Sequence, residues 1–238
     1  MLAVLALLLT VTVPLSAGGD AESEGPSDPS SRETDPVEAF FAEDPRSARY
    51  AELRSDIESV FRRARNRDIS VESLNTLLRE AAAKRVSPVA LTNALEAELQ
   101  RLGAAQELLR SAGYQESAVP AGALRRISVY LRAGVAPEVM EELAAQGKPP
   151  SALLESLETL ATVISTVELS REDAVSLGSA LMNSALAPEG YGSVASAYVK
   201  GRVRGLSSGD VTDIVVRILN AGGGIIQIDR EITSRRPS

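Results

Sequence analysis

Between residues 44 and 221 apolar positions recur at three- and four-residue spacing, the period of one face of an α-helix. Tyr50, Leu53, Ile57, Val60 and Ala64 form the first stripe. It opens on Asp44-Pro45, a capping residue followed by a proline suited to the first helical position. It closes in "RRARNR", where Arg62, Arg63, Arg65 and Arg67 meet the negative end of the helix dipole.

From there one phrase recurs: an apolar residue, then Ser, Ala or Pro, then apolar residues five and eight positions after the first. Ile69-Ser70 leads to Leu74 and Leu77, Val119-Pro120 to Leu124 and Ile127, and Leu169-Ser170 to Ala174 and Leu177, with starts 50 residues apart. A second series follows at Val86-Ser87-Pro88, Val135-Ala136-Pro137 and Leu186-Ala187-Pro188, spaced by 49 and 51 residues. In each, the apolar residue can staple onto the first turn, the next caps, and the proline takes the first helical position, where its missing N–H costs nothing. Leu206-Ser207, with Val211 and Ile214, opens one further helix. Gly113, Gly134, Gly147 and Gly205 fall where left-handed helix-terminating residues belong. Three degenerate units result, roughly 69–118, 119–168 and 169–221. Their third segments align least well: residues 97–112 continue a helix, whereas "GKPPSALLESLETLATVIST" starts afresh.

The expected fold is therefore all-α, with about eight to ten helices in degenerate helical-hairpin repeats. These pack either as a short α-solenoid-like array or as a compact multi-helix bundle. The units carry neither the aromatic pattern of tetratricopeptide repeats nor the "TPLH" turn of ankyrin repeats.

Outside the periodic region the pattern changes twice. "MLAVLALLLTVTV" is an apolar run of signal-peptide length, and Pro14 and the small residues Ser16, Ala17, Gly18 and Gly19 follow it. Residues 1–17 read as an export signal or, uncleaved, as an N-terminal anchor through residues 2–17, although a basic n-region is missing and the run is short for a bilayer span. Residues 18–44 read as an acidic flexible linker, too poor in apolar side chains to order themselves. Residues 18–45 hold nine acidic residues and one basic, a net −8 in a chain whose total is −7, so the remainder is near neutral. Within the linker "DPVEAFF" can form a short helix capped by Asp35, with Phe40 and Phe41 docking on the body or on a partner. After 45–224 comes a tail, 225–238, whose Ile225, Ile226, Ile228 and Ile232 either cap the end of the array or bind a partner; Ile226 and Ile228 can add a strand to an exposed sheet edge.

The chain has no Cys and no His. Disulfides, thiolate or imidazole metal sites and every triad or dyad built on His or Cys are excluded, and no lipidated cysteine is available. Trp is absent and aromatics make up only 3% of residues, which leaves no stacking platform for bases or sugars. Carboxylate pairs (Glu155/Glu158, Glu172/Asp173) and a Ser196/Lys200 pair one turn apart remain. Each lacks supporting motifs and fits a solvated helix face, so no catalytic, cofactor or metal residue is assigned. The glycines of "NAGGG" (220–224) read as a helix end and hinge, not as a phosphate cradle.

Composition and pattern together point to an exported, non-enzymatic helical-repeat protein, periplasmic or extracellular. It would bind another protein or a peptide, not nucleic acid, with Phe40, Phe41, Ile225, Ile226 and Ile228 as candidate contacts. The alternatives are a cell-envelope hydrolase or accessory factor working through carboxylates, and a purely structural oligomeric spacer.

Overall fold

The computed structural model of the protein describes residues 35–187 and 190–235. Eleven α-helices and no strand occur among the described residues. They are α1 (Pro36–Glu43), α2 (Arg54–Arg65), α3 (Glu72–Ala83), α4 (Pro88–Ser111), α5 (Ala123–Arg132), α6 (Pro137–Ala144), α7 (Pro150–Ile164), α8 (Arg171–Asn183), α9 (Gly192–Val203), α10 (Ser208–Asn220) and α11 (Ile225–Ser234). A 3₁₀ helix, Pro45–Leu53, joins α1 to α2.

The start signals act as their chemistry dictates. Ser87 Oγ accepts from the Ala90 amide at 3.3 Å and Pro88 stands at the first position of α4. Pro137 opens α6, Pro150 opens α7, and Ser170 caps α8 through the Asp173 amide at 3.0 Å. Ser207 and Asp210 form a reciprocal capping box on α10. Four starts differ from the sequence reading: Asp44-Pro45 opens the 3₁₀ helix, so α2 starts only at Arg54, and after Ile69-Ser70 α3 starts at Glu72 behind Val71. After Val119-Pro120 the helix is delayed to Ala123, behind Gly122 at φ 75°. α9 begins at Gly192, and Pro188 lies outside the described residues, as do the apolar run 1–17 and residues 18–34.

Both ends of the periodic region carry the docked segments expected of "DPVEAFF" and of the terminal isoleucines. The segment assigned to linker 18–44 is helical from Pro36: Asp35 Oδ1 accepts from the Val37 amide at 2.9 Å, and Phe40 is fully buried against Phe41 and Tyr50. The 225–238 tail is mostly α11, with Ile228 and Ile232 buried. Ile226 and Ile228 stand in a helix here and not in a strand: the segment satisfies its amides internally, and its 228/232 pair makes one buried stripe.

The joints share a construction. In 84–87, 133–136 and 204–207 the first residue ends one helix. The second is left-handed: Arg85, Gly134 and Gly205, at φ 56°, 100° and 78°. The third, Val86, Val135 or Leu206, donates its amide five residues back, to Ala81 O, Tyr130 O and Gly201 O at 2.9, 3.1 and 3.0 Å. The fourth caps the next helix. One apolar residue thus closes one helix and leads the next.

Packing follows a ladder. α2, α4, α6, α8 and α10 each contact the next even-numbered helix, while α5, α7, α9 and α11 do the same in a second layer, as α1 and α3 do. This neighbour-on-neighbour rule is that of stacked hairpins. The first unit differs because its second and third helices are fused in the long α4. Donors reach back across the ladder to the carbonyls of the joints: Tyr50 Oη to Val86 O (2.8 Å), Gln106 Nε2 to Arg67 O (2.9 Å), Tyr114 Oη to Lys148 O (2.9 Å) and Arg202 Nη1 to Thr166 O (2.9 Å).

The buried apolar residues fall into two clusters. One runs from Val37 to Leu102 and the other from Ala105 to Ile232. The boundary lies within α4, and Leu124, partly buried, packs against both.

Candidate functional site

The ladder has one interruption: α3 and α5, successive helices of their layer, make no substantial contact. The space between them is a cleft of about 790 Å³ over the C-terminal half of α4, within the usual range of binding pockets. Buried Ile69, Leu102 and Leu109 and half-buried Val119 and Leu124 line it. Asp68 and Glu72 stand on the α3 side, Arg125 on the α5 side and Arg110 on α4. All four are exposed. The cause is local sequence: Gly113, Pro120 and Gly122 lengthen the α4–α5 connection to residues 112–122, where most joints of the ladder are about half that length.

Beside the cleft a carboxylate is buried between α4 and α5. Glu98 is 3% exposed. Its Oε1 accepts from Ser128 Oγ at 2.7 Å, and its Oε2 accepts from Arg101 Nη2 at 2.8 Å and Arg132 Nη2 at 2.5 Å. Burial opposes its ionisation, but the Ser128 and Arg101 hydrogen bonds and the Arg132 charge outweigh this and hold its carboxyl below the usual glutamate value. The site is saturated with donors, so it acts as a clamp between helices.

Of the carboxylate pairs read from sequence, Glu155/Glu158 is similarly engaged. Arg126 donates to Glu155 Oε1 at 2.8 Å and Glu158 Oε2 at 2.7 Å, tying α5 to α7, and its Nε reaches Tyr130 Oη at 2.9 Å. Burial pushes the Tyr130 phenol up, so it stays protonated and donates to Glu158. Asp173 belongs to the first turn of α8. Lys200, the second member of the Ser196/Lys200 pair, is ion-paired to Asp229 Oδ1 at 2.5 Å. Among the described residues no group of three or more acids converges as a metal would require. The 222–224 glycines, read as ending a helix, also open α11. Their amides are occupied, Gly223 by Ile218 O at 2.8 Å and Gly224 by Gln227 Oε1 at 3.1 Å.

The five residues singled out as partner contacts are not brought together. Phe40 and Phe41 pack in the first cluster, Phe41 beneath the Arg54 guanidinium. Ile225 and Ile228 pack in the second, at the far end of the ladder. Phe40 (0% exposed) and Ile228 (1%) are core residues because their helices need a buried stripe to dock. Ile226, 77% exposed, alone stands fully in solvent. The cleft was missed because its lining residues repeat the apolar phrase of every other helix start. The only available signal was the long Gly- and Pro-containing connection.

No helix of the described residues is long and apolar enough to cross a membrane. Compared with protein-family models, curated proteins and solved structures, the chain matches none.

Proposed function

We propose that the protein is an exported, non-enzymatic binding module whose cleft between α3 and α5 receives a peptide segment of another envelope protein. The cleft carries this reading: two successive helices of one layer stand apart there between charged walls, with half-buried Val119 and Leu124 reaching its surface. The apolar leader followed by small residues supports export. Engagement of Glu155 and Glu158 by Arg126, and of Lys200 by Asp229, favours binding over hydrolysis.

A photo-crosslinking residue at Arg125 tests the site in cells. An adduct with a second protein, absent when the crosslinker stands at exposed Glu52 and lost with Leu124→Asp, is expected. Equal adducts at both positions contradict the reading. Export predicts a mature chain beginning at Gly19 or Asp20 outside the cytoplasm; chains that all retain Met1 in the cytoplasm contradict it.

A further inference from the structure

A second surface lies at the far end of the ladder, on the outer side of α9 and α11, away from the cleft. We infer that this face rests on an anionic lipid bilayer, with its arginines on the phosphates and its protruding aliphatic side chains among the headgroups.

Helix geometry builds the face. α9 buries Val194, Ala197, Tyr198 and Gly201, which leaves Val199 and Val203, one turn apart, on the opposite side. Val203 is 83% exposed and Val199 46%. On α11, Ile228 and Ile232 are buried, while Ile226 borders the groove between α11 and α9 together with Ser196 and Lys200. Val203 and Ile226 are the two most exposed large apolar residues among the described residues.

Cations surround them. Arg202 and Arg204 flank Val203 in sequence and reach to opposite sides of α9. Arg202 donates to Thr166 O in the α7–α8 joint, and Arg204 Nη1 donates to Thr233 O of α11 at 2.7 Å. Both acceptors are neutral carbonyls, so neither guanidinium is compensated by an acid there. Arg230, exposed in the same groove as Ile226, makes no ion pair among the described residues. Two acids stand against these cations: Asp229, which pairs with Lys200, and exposed Glu168 on the Arg202 side. Four cations against two acids leave the face positive in a chain whose net charge is −7.

This combination suits a bilayer better than a folded partner. Protein interfaces are anchored by projecting aromatic side chains in a packed centre. The tyrosines of α9 and its approach, Tyr191 and Tyr198, are buried. Separated aliphatic tips ringed by arginines have no packed centre to offer. A bilayer requires no matching shape: aliphatic tips enter its headgroup region, and guanidinium groups take phosphate oxygens in pairs.

The test uses the absence of cysteine. Val203→Cys in the full-length protein carries a single environment-sensitive fluorophore. Its emission should shift to the blue on phosphatidylglycerol vesicles and stay unchanged on phosphatidylcholine vesicles. The same label at Glu138→Cys, exposed on α6 in the other layer, should not respond. Arg230→Glu should raise the lipid concentration needed for half the shift about tenfold or more. Salt at about 1 M, where charges are screened beyond about 3 Å, should abolish the shift without any substitution. An equal shift on both lipids, or one insensitive to Arg230→Glu and to salt, would overturn the anionic surface. A shift on concentrating the protein without lipid would make a second copy the occupant and overturn the inference. No shift at position 203 would overturn it too, and would assign any vesicle binding to the leader or another face. None of these outcomes touches the cleft, whose crosslinks at Arg125 are read separately.

Discussion

Single residues here are strained or saturated in ways that composition hides. Arg85 holds a left-handed conformation, φ 56°, in a joint whose counterparts use Gly134 and Gly205. A side chain in that region costs about 1–2 kcal/mol, partly offset by the greater unfolded freedom of glycine. Arg85→Gly should therefore raise stability by about 0.5 kcal/mol in urea unfolding, since the joint's hydrogen bonds are main-chain. Glu98 is the opposite case. Glu98→Gln removes the charge that faces Arg101 and Arg132 and weakens the acceptor for buried Ser128, a loss of about 1–3 kcal/mol. Its carboxyl titrates below its ordinary value in the folded state, so the ionised form's contribution is complete above the unfolded value and disappears as pH falls through the folded one. Between about pH 6 and about pH 3 the wild type should lose more stability than Glu98→Gln does; equal losses would show that Glu98 is not the group responsible. In "ALEAELQRL" the position of Glu98 on the Leu95/Leu102 stripe, three residues from Arg101, is visible, but Ser128 and Arg132, which complete its clamp, lie 30 and 34 residues away.

At the scale of elements the sequence was most legible where capping chemistry is local. Asp35-Pro36, Ser87-Pro88, Ser170 and Ser207 mark helix starts because each contact closes within three residues. The ends of the fold were harder to read. α1 was legible as a helix within an acidic linker, but which of its two phenylalanines is core was not, and Arg65, read only as a cation at a helix end, holds Asp35 at 2.7 Å. Burial of a large apolar side chain is worth several kcal/mol, so Phe40→Ala should cost about 3–5 kcal/mol. A cost below about 1 kcal/mol would mean that α1 is not docked. The cleft was opaque for a related reason: Val119 and Leu124 have the spacing of an ordinary helix start, and only the delay of α5 to Ala123 leaves their neighbourhood open.

For the whole molecule the division of the core has an observable consequence. Stacked arrays transmit stability chiefly between neighbours. Leu74 lies in the first cluster and is fully buried. Leu74→Ala should speed amide hydrogen exchange throughout α1–α3 while α7–α10 keep most of their protection. Uniform acceleration along the chain would show a single cooperative unit instead. α4 alone belongs to both clusters, and at 24 residues it spans about 36 Å at 1.5 Å per residue. Mechanically it is a beam shared by two bodies, and a tilt of about 5° at one end displaces the other by about 3 Å. Gly103 sits in that beam where the two clusters part, and the nearest group a Cβ there would meet is Arg67 Nη1 at 3.7 Å. Space therefore permits Gly103→Ala, and the missing methyl leaves the beam most compliant at its fulcrum, directly beneath the cleft whose two walls it carries.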